Sequence, residues 1–136
     1  EIANASLLDE ATAAAEAMAS VVEHVLETVA CAAVFVPTRT GTTVRMISRF
    51  NPAVWIVALS REAAVCQGLA FSYGVQAEQL AEEPENWRDF ARNWLRGHEV
   101  PGAVAMLVAG PSARNADANH RLEFLRVGGH PTPAGG

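Results

Sequence analysis

Between residues 38 and 43 the chain reads Thr38-Arg39-Thr40-Gly41-Thr42-Thr43, four hydroxyls, a cation and a glycine in six residues. Hydroxyls and guanidinium groups donate hydrogen bonds to anionic oxygen. Gly41 lets the backbone approach a ligand closely. The segment follows an apolar run, Ala32 to Val36, that Pro37 ends, and it leads into Val44 and Ile47 at helical spacing. The first N–H groups of such a helix lack internal partners and lie at the positive end of its dipole. With Arg45 added, these features make a phosphate site. The plainer alternative is a helix cap built of threonines.

Other chemistry finds less support. All ten basic residues are arginine, which excludes a Walker A loop and any Schiff-base lysine. His24, His98, His120 and His130 do not cluster in sequence, so no metal site is expected. The three aspartates, Asp9, Asp89 and Asp117, show no paired-acid spacing. Ser72 and Ser112 lack a nucleophile elbow. Cys31 and Cys66 have no neighbour at metal-ligand spacing and read as free thiols, which fits a reducing cytoplasm. Trp87 opens a helical pattern, where it either faces the core or lines a site.

The charge is segregated. The net charge is -5 over 136 residues, yet residues 28–61 hold Arg39, Arg45, Arg49 and Arg61 and no acid. Four positive charges suit a small anion and are too few for a nucleic-acid surface. No apolar run approaches the ~18 residues that cross a bilayer, so no membrane partner is expected.

The elements that must position these residues alternate. Ser6 to Leu26 reads as a helix, with Leu7, Leu8, Ala11, Ala15, Met18, Val22 and Val25 at helical spacing and Ser6 as its cap. After the strand at 32–36 and its threonine turn, a helix places Val44, Ile47 and Phe50 inward and stops at Asn51-Pro52. Val54 to Leu59 is a second strand, and Ser60 caps a helix from Arg61 to about Phe71. Gly74 to Gln76 reads as a short edge strand and Glu78 to Glu85 as a solvated loop. Trp87, Phe90, Ala91, Trp94 and Leu95 mark an amphipathic helix. Ala103 to Val108 is a strand, Gly110 to His120 a polar loop, Leu122 to Val127 a final strand, and residues 129–136 a flexible tail. This alternation predicts one α/β domain over 1–128, mainly parallel, with helices on both faces and an antiparallel last pair. In such a sheet ligands sit beyond the carboxyl ends of strands. If the first and fourth strands are neighbours, the turn at 38–43 and the loop at 110–119 face one crevice.

The stretch from Ala32 to Val75 resembles the C-terminal domain of pyruvate kinase. Thr38, Gly41, Thr43, Arg45, Ser48, Arg49, Phe50 and Pro52 match the family's T-x-S-G-x-T turn and the S-R-aromatic-R-P segment after it. Ile56 to Ser60, Gly74-Val75, Pro101-Gly102 and Asn119 match later landmarks, and the likeness runs from about Leu7 to Gly128. It implies a three-layer α/β/α domain whose five-stranded mixed sheet has order 3-2-1-4-5, the last strand antiparallel. It also implies a regulatory role, with a phosphorylated effector held by Thr38, Arg39, Thr40, Gly41, Thr42 and Thr43. Gly110, Ser112, Arg114 and Asn119 would cover the effector, and Trp87 resembles an aromatic set against it.

Three departures bear on that effector site. Asn51 stands where the family has arginine, Trp55 where it has a smaller residue, and the loop from Pro111 is poor in glycine. The resemblance places catalysis in a separate barrel domain, which would supply lysine and bind Mg and K; no cofactor is expected in this chain. It further implies a cytoplasmic homo-oligomer, paired through the first helix and last strand. Three readings follow: a regulatory domain of a longer kinase, a free-standing phosphometabolite-binding or structural module, or a small enzyme acting on a phosphorylated metabolite.

Overall fold

The computed structural model describes residues 2–109 and 121–128, with side chains from residue 13 onward. The predicted loop at Gly110 to His120 and the tail at 129–136 lie outside the described residues. The elements are α1 (Ile2–Thr28), β1 (Ala33–Pro37), α2 (Thr42–Ser48), β2 (Trp55–Ser60), α3 (Ala63–Leu69), β3 (Val75–Gln79), α4 (Trp87–Gly97), β4 (Val104–Ala109) and β5 (Arg121–Arg126).

The sheet order is β3-β2-β1-β4-β5. β1 pairs in parallel with β2 and β4, β2 pairs in parallel with β3, and β4 meets β5 antiparallel. The three central strands are apolar almost without interruption because helices cover both of their faces. Alternate side chains then divide into two cores. Val34, Val36, Ile56, Ala58, Met106 and Val108 point toward Val22 of α1, Val44 and Ile47 of α2 and Leu69 of α3. Ala33, Phe35, Val57, Leu59, Ala105 and Leu107 point toward Ala91, Trp94 and Leu95 of α4. The rings of Phe90 and Trp94 meet Phe35 edge-on, with centroids 6.2 and 5.7 Å away. This is the three-layer architecture, with the antiparallel last pair that a final connection poor in helix signal predicts. Gly102 has φ +144, and a Cβ there would lie 2.6 Å from that of Ala32, so only glycine fits before β4.

Local expectations differ from the structure in four places. α1 begins at Ile2, upstream of Ser6, because good helix formers such as Ala3 and Ala5 extend it, so Ser6 is not its cap. Phe50 lies past the end of α2 and is exposed rather than inward. Ser60 is the last residue of β2; its hydroxyl accepts the N–H of Glu62, but α3 starts at Ala63 with no side-chain cap. Glu78 belongs to β3 rather than to a loop, and its carboxylate accepts the Trp94 indole N–H at 2.8 Å.

Candidate functional site

The sheet changes direction at β1. The chain moves from β1 to β2 on one side, and β4 enters on the other. Such a switch point opens a crevice at the carboxyl ends of the strands. The threonine turn fills the β1 side of that crevice. Thr38 still belongs to the ladder, its N–H donating to Leu59 O at 2.8 Å. The chain then folds back on its own hydroxyls. Gly41 N–H donates to Thr38 Oγ1 at 2.7 Å, and the Thr40 and Thr42 hydroxyls lie 3.0 Å apart. Gly41 sits at the N-cap of α2 with φ +86, in the left-handed region that glycine enters without strain.

Arg45 turns back toward this loop. Its Nη1 donates to Thr40 O at 3.1 Å. The guanidinium lies between two glycines, since a Cβ on Gly41 would fall 3.1 Å from Nη1 and one on Gly68 3.3 Å from Nη2. Arg45 therefore braces the turn and ties it to α3. Gly68 as the other wall of that slot has no signal in the sequence beyond its small size.

Hydrogen-bond accounting defines what the turn can do. The Gly41 amide is taken by Thr38. Among the described residues no acceptor meets the N–H groups of Thr43 and Val44 in the first turn of α2. One of the paired Thr40 and Thr42 hydroxyls donates to the other, which leaves one of their protons free. Thr38 uses its oxygen as an acceptor and keeps its proton. Arg39, Thr40 and Arg45 are exposed, and Thr38, Thr42 and Thr43 half-buried. Arg61 follows β2 and emerges at the same end. Among the described residues neither Arg39, Arg45 nor Arg61 is ion-paired. A cluster of donors and cations with no carboxylate partner suits an oxyanion.

Trp87 opens α4 at the same end of the sheet but on the other face. It is half-buried, its ring set edge-on to Phe90 at 5.8 Å, so the structure places it against the α4 core. Gly110, Ser112, Arg114 and Asn119 lie outside the described residues. Among those described, no group of three or more His, Cys, Asp or Glu could hold a metal, and no helix is long and apolar enough to cross a membrane. Both cysteines are free thiols. Burial pushes the Cys31 thiol up, and burial raises Cys66 against a smaller lowering by its contact with Ser60 O, the opposite of the shift that activates a thiol.

An open, mainly parallel α/β sheet with helices on both faces and a donor-rich turn at its switch point defines a doubly wound α/β/α domain. Comparison with known proteins makes the class particular: residues 16–116 match the pyruvate kinase alpha/beta domain, and the chain belongs to that family. A 42-residue stretch is 60% identical to pyruvate kinase from Thermococcus litoralis, spanning 31% of this chain and 9% of that protein. The structure of Cryptosporidium parvum pyruvate kinase in complex with ADP superposes with a TM-score of 0.74 at 21% identity, over 84% of this chain and 24% of that one. A second structure of the Cryptosporidium parvum enzyme gives 0.68 at 20% identity, over 85% and 22%. The chain thus spans about a quarter of these solved relatives.

Proposed function

We propose that this chain is the effector-binding and subunit-pairing domain of a pyruvate kinase, the enzyme that moves phosphate from phosphoenolpyruvate to ADP. It binds a phosphorylated metabolite at the turn from Thr38 to Thr43 and catalyses nothing by itself. The observation that carries this reading is the turn itself: free hydroxyl and amide donors and unpaired arginines meet at the switch point of a pyruvate kinase alpha/beta domain. Catalysis, with Mg and K, belongs to a barrel domain of the longer chain. Pairing with a second copy uses α1 and the outer edge of β5, which is unpaired among the described residues and invites another strand.

Titration calorimetry with fructose 1,6-bisphosphate, other sugar phosphates and AMP tests the binding. One of the panel is expected to bind, and Thr40→Ala and Thr43→Ala each to weaken it roughly tenfold, the loss of one hydrogen bond of about 1–2 kcal/mol, with the fold intact by circular dichroism. No binding by the unmutated protein would remove the effector role. Light scattering at high concentration should give twice the monomer mass.

A further inference from the structure

β3 closes the sheet on the side away from β5. Among the described residues it pairs with β2 alone, in a register unbroken from Val75 to Gln79. Two flanking bonds fix which way its backbone faces. Ile56 N–H donates to Gly74 O and Leu80 N–H to Ser60 O, both at 2.9 Å. Gln76 and Glu78 therefore turn their backbone groups to β2, and Ala77 and Gln79 turn theirs outward. Among the described residues nothing meets the N–H groups of Ala77 and Gln79 or the carbonyls of Val75, Ala77 and Gln79. Beside them a groove of about 370 Å³ opens between β3 and α3, walled by Cys66, Gln67 and Ala70.

Sheet edges are commonly blunted by proline, lysine or a bulge, because a bare edge is a template for another strand. The sequence of β3, Val-Gln-Ala-Glu-Gln, has none of these. Its one charge is held by α4: the Glu78 carboxylate accepts Trp94 Nε1–H at 2.8 Å and lies 3.9 Å from His98 Nε2. What faces water is a plain row of donors and acceptors with a groove alongside.

We infer that β3 is an edge on which a second copy of this chain pairs, antiparallel, about a two-fold axis through Ala77. The occupant is set by the strand's complementarity to itself. That axis sets Ala77 opposite its own copy, Gln76 opposite the second copy's Glu78, and Val75 opposite the second copy's Gln79. The outward N–H and C=O groups of Ala77 close the central pair of hydrogen bonds. No like charges stand opposite each other, and the Gln76 amide meets a carboxylate that has spent only Oε2 on Trp94. An axis through Glu78 would set two carboxylates face to face, and one through Gln76 would run Gln79 past the end of the partner strand. Val75 and Ala77 point to the α3 side of the sheet, so the same residues of the second copy enter the groove. An edge of five residues lies at the small end of interfaces. The contact is accordingly transient, half-formed at about 1 mM. It adds to pairing through α1 and β5 and does not depend on it.

Proton–nitrogen correlation spectra of the unmutated chain, diluted from about 1 mM to about 0.05 mM, read the pairing directly. The amide protons of Ala77 and Gln79 are expected to move downfield as concentration rises, because they gain an acceptor, while those of Gln76 and Glu78 stay fixed. Cross-linking reads the register. The axis sets the two Ala77 Cα atoms about 5.5 Å apart, within reach of a disulfide, and the two Gln79 Cα atoms about 13 Å apart, beyond it. Both variants carry Cys66→Ser, because Cys66 lines the groove. Ala77→Cys is expected to oxidise to a linked dimer roughly tenfold faster than Gln79→Cys. Equal rates would overturn the two-fold pairing. Ala77 and Gln79 shifts that stay fixed on dilution would overturn it as well: with fast amide exchange the edge is bare, and with slow exchange a segment of the same chain covers it.

Discussion

Gly41→Ala separates the contribution of the turn from that of the sheet. Gly41 holds φ +86, where a Cβ costs roughly 1–2 kcal/mol. The new Cβ would also lie 3.1 Å from both Arg45 Nη1 and Leu69 Cδ2. The guanidinium can swing away, but Leu69 is fully buried and must repack. Adding a modest packing strain gives a loss of about 2 kcal/mol, or about 6 °C in Tm for a domain of this size. Gly68→Ala is the control. Gly68 is inside α3, and its Cβ would meet only the far end of Arg45 at 3.3 Å, so the gain in helix propensity of up to about 1 kcal/mol should prevail. Urea and thermal melts followed by circular dichroism measure both, and anion titration shows whether binding falls with Gly41→Ala. A Tm change under 2 °C for Gly41→Ala, or equal changes for the two variants, would refute the reasoning that backbone conformation rather than crowding sets the turn.

Three further perturbations test other parts of the fold. Asn86 caps α4, its Oδ1 accepting Asp89 N–H at 3.0 Å, so Asn86→Ala should cost about 1 kcal/mol in a urea melt. Glu99 follows α4 with φ +57, and Val100 N–H closes the helix end on Leu95 O at 2.9 Å; Glu99→Gly should raise stability by up to about 1 kcal/mol. Both thiols have raised pKa values in the folded state, so the stability they carry is present below the ordinary thiol value of 9.0 and lost as pH rises above it. Iodoacetamide at pH 8 should accordingly modify the native protein more slowly than a small free thiol, and urea should abolish the difference.

Much of this fold is legible in the sequence because each signal has one physical source. Buried parallel strands demand continuous apolar runs, and Val34 to Val36, Ile56 to Leu59 and Ala105 to Val108 supply them. α4 is legible from the spacing of Phe90, Ala91, Trp94 and Leu95, since one face must meet Phe35. The turn is legible from Gly41, whose φ no other residue adopts so cheaply. What escaped depends on side chains choosing partners across the chain. Glu78 reads as loop because acids are rare in strands, and its place is explained by the Trp94 indole and the nearby His98 ring, both of which meet its carboxylate. Phe50 reads as core because it continues a helical spacing, but α2 ends at Ser48, whose hydroxyl is captured by Tyr73 O. Arg45 reads only as part of the anion site, and its bracing of the turn shows once Gly68, 23 positions later in the sequence, is seen to wall its slot.

The connections of this chain alternate in character. Those that follow β1 and β2 carry threonines and Arg39 and Arg61; those that precede β2 and β3 carry Phe50, Phe71 and Tyr73, with Trp55 at the very start of β2. A parallel sheet turns that alternation along the chain into separation in space, because every βα connection emerges at one end and every αβ connection at the other. Strands of five or six residues hold the two ends about 17–20 Å apart at about 3.3 Å per residue. This exceeds the ~8 Å screening length at physiological salt and the distance beyond which substitutions add. α2 is the element that could break this independence. It starts at the turn and ends at the bond from Ser48 to Tyr73, and its seven residues span about 10 Å. A double-mutant cycle between Thr43→Ala and Tyr73→Ser, read by urea melts, decides the matter. If the ends are independent, the two losses sum to within about 0.5 kcal/mol. A coupling above 1 kcal/mol, abolished by Ser48→Ala, would show that α2 carries strain from one end to the other and would refute the separation argued from strand length.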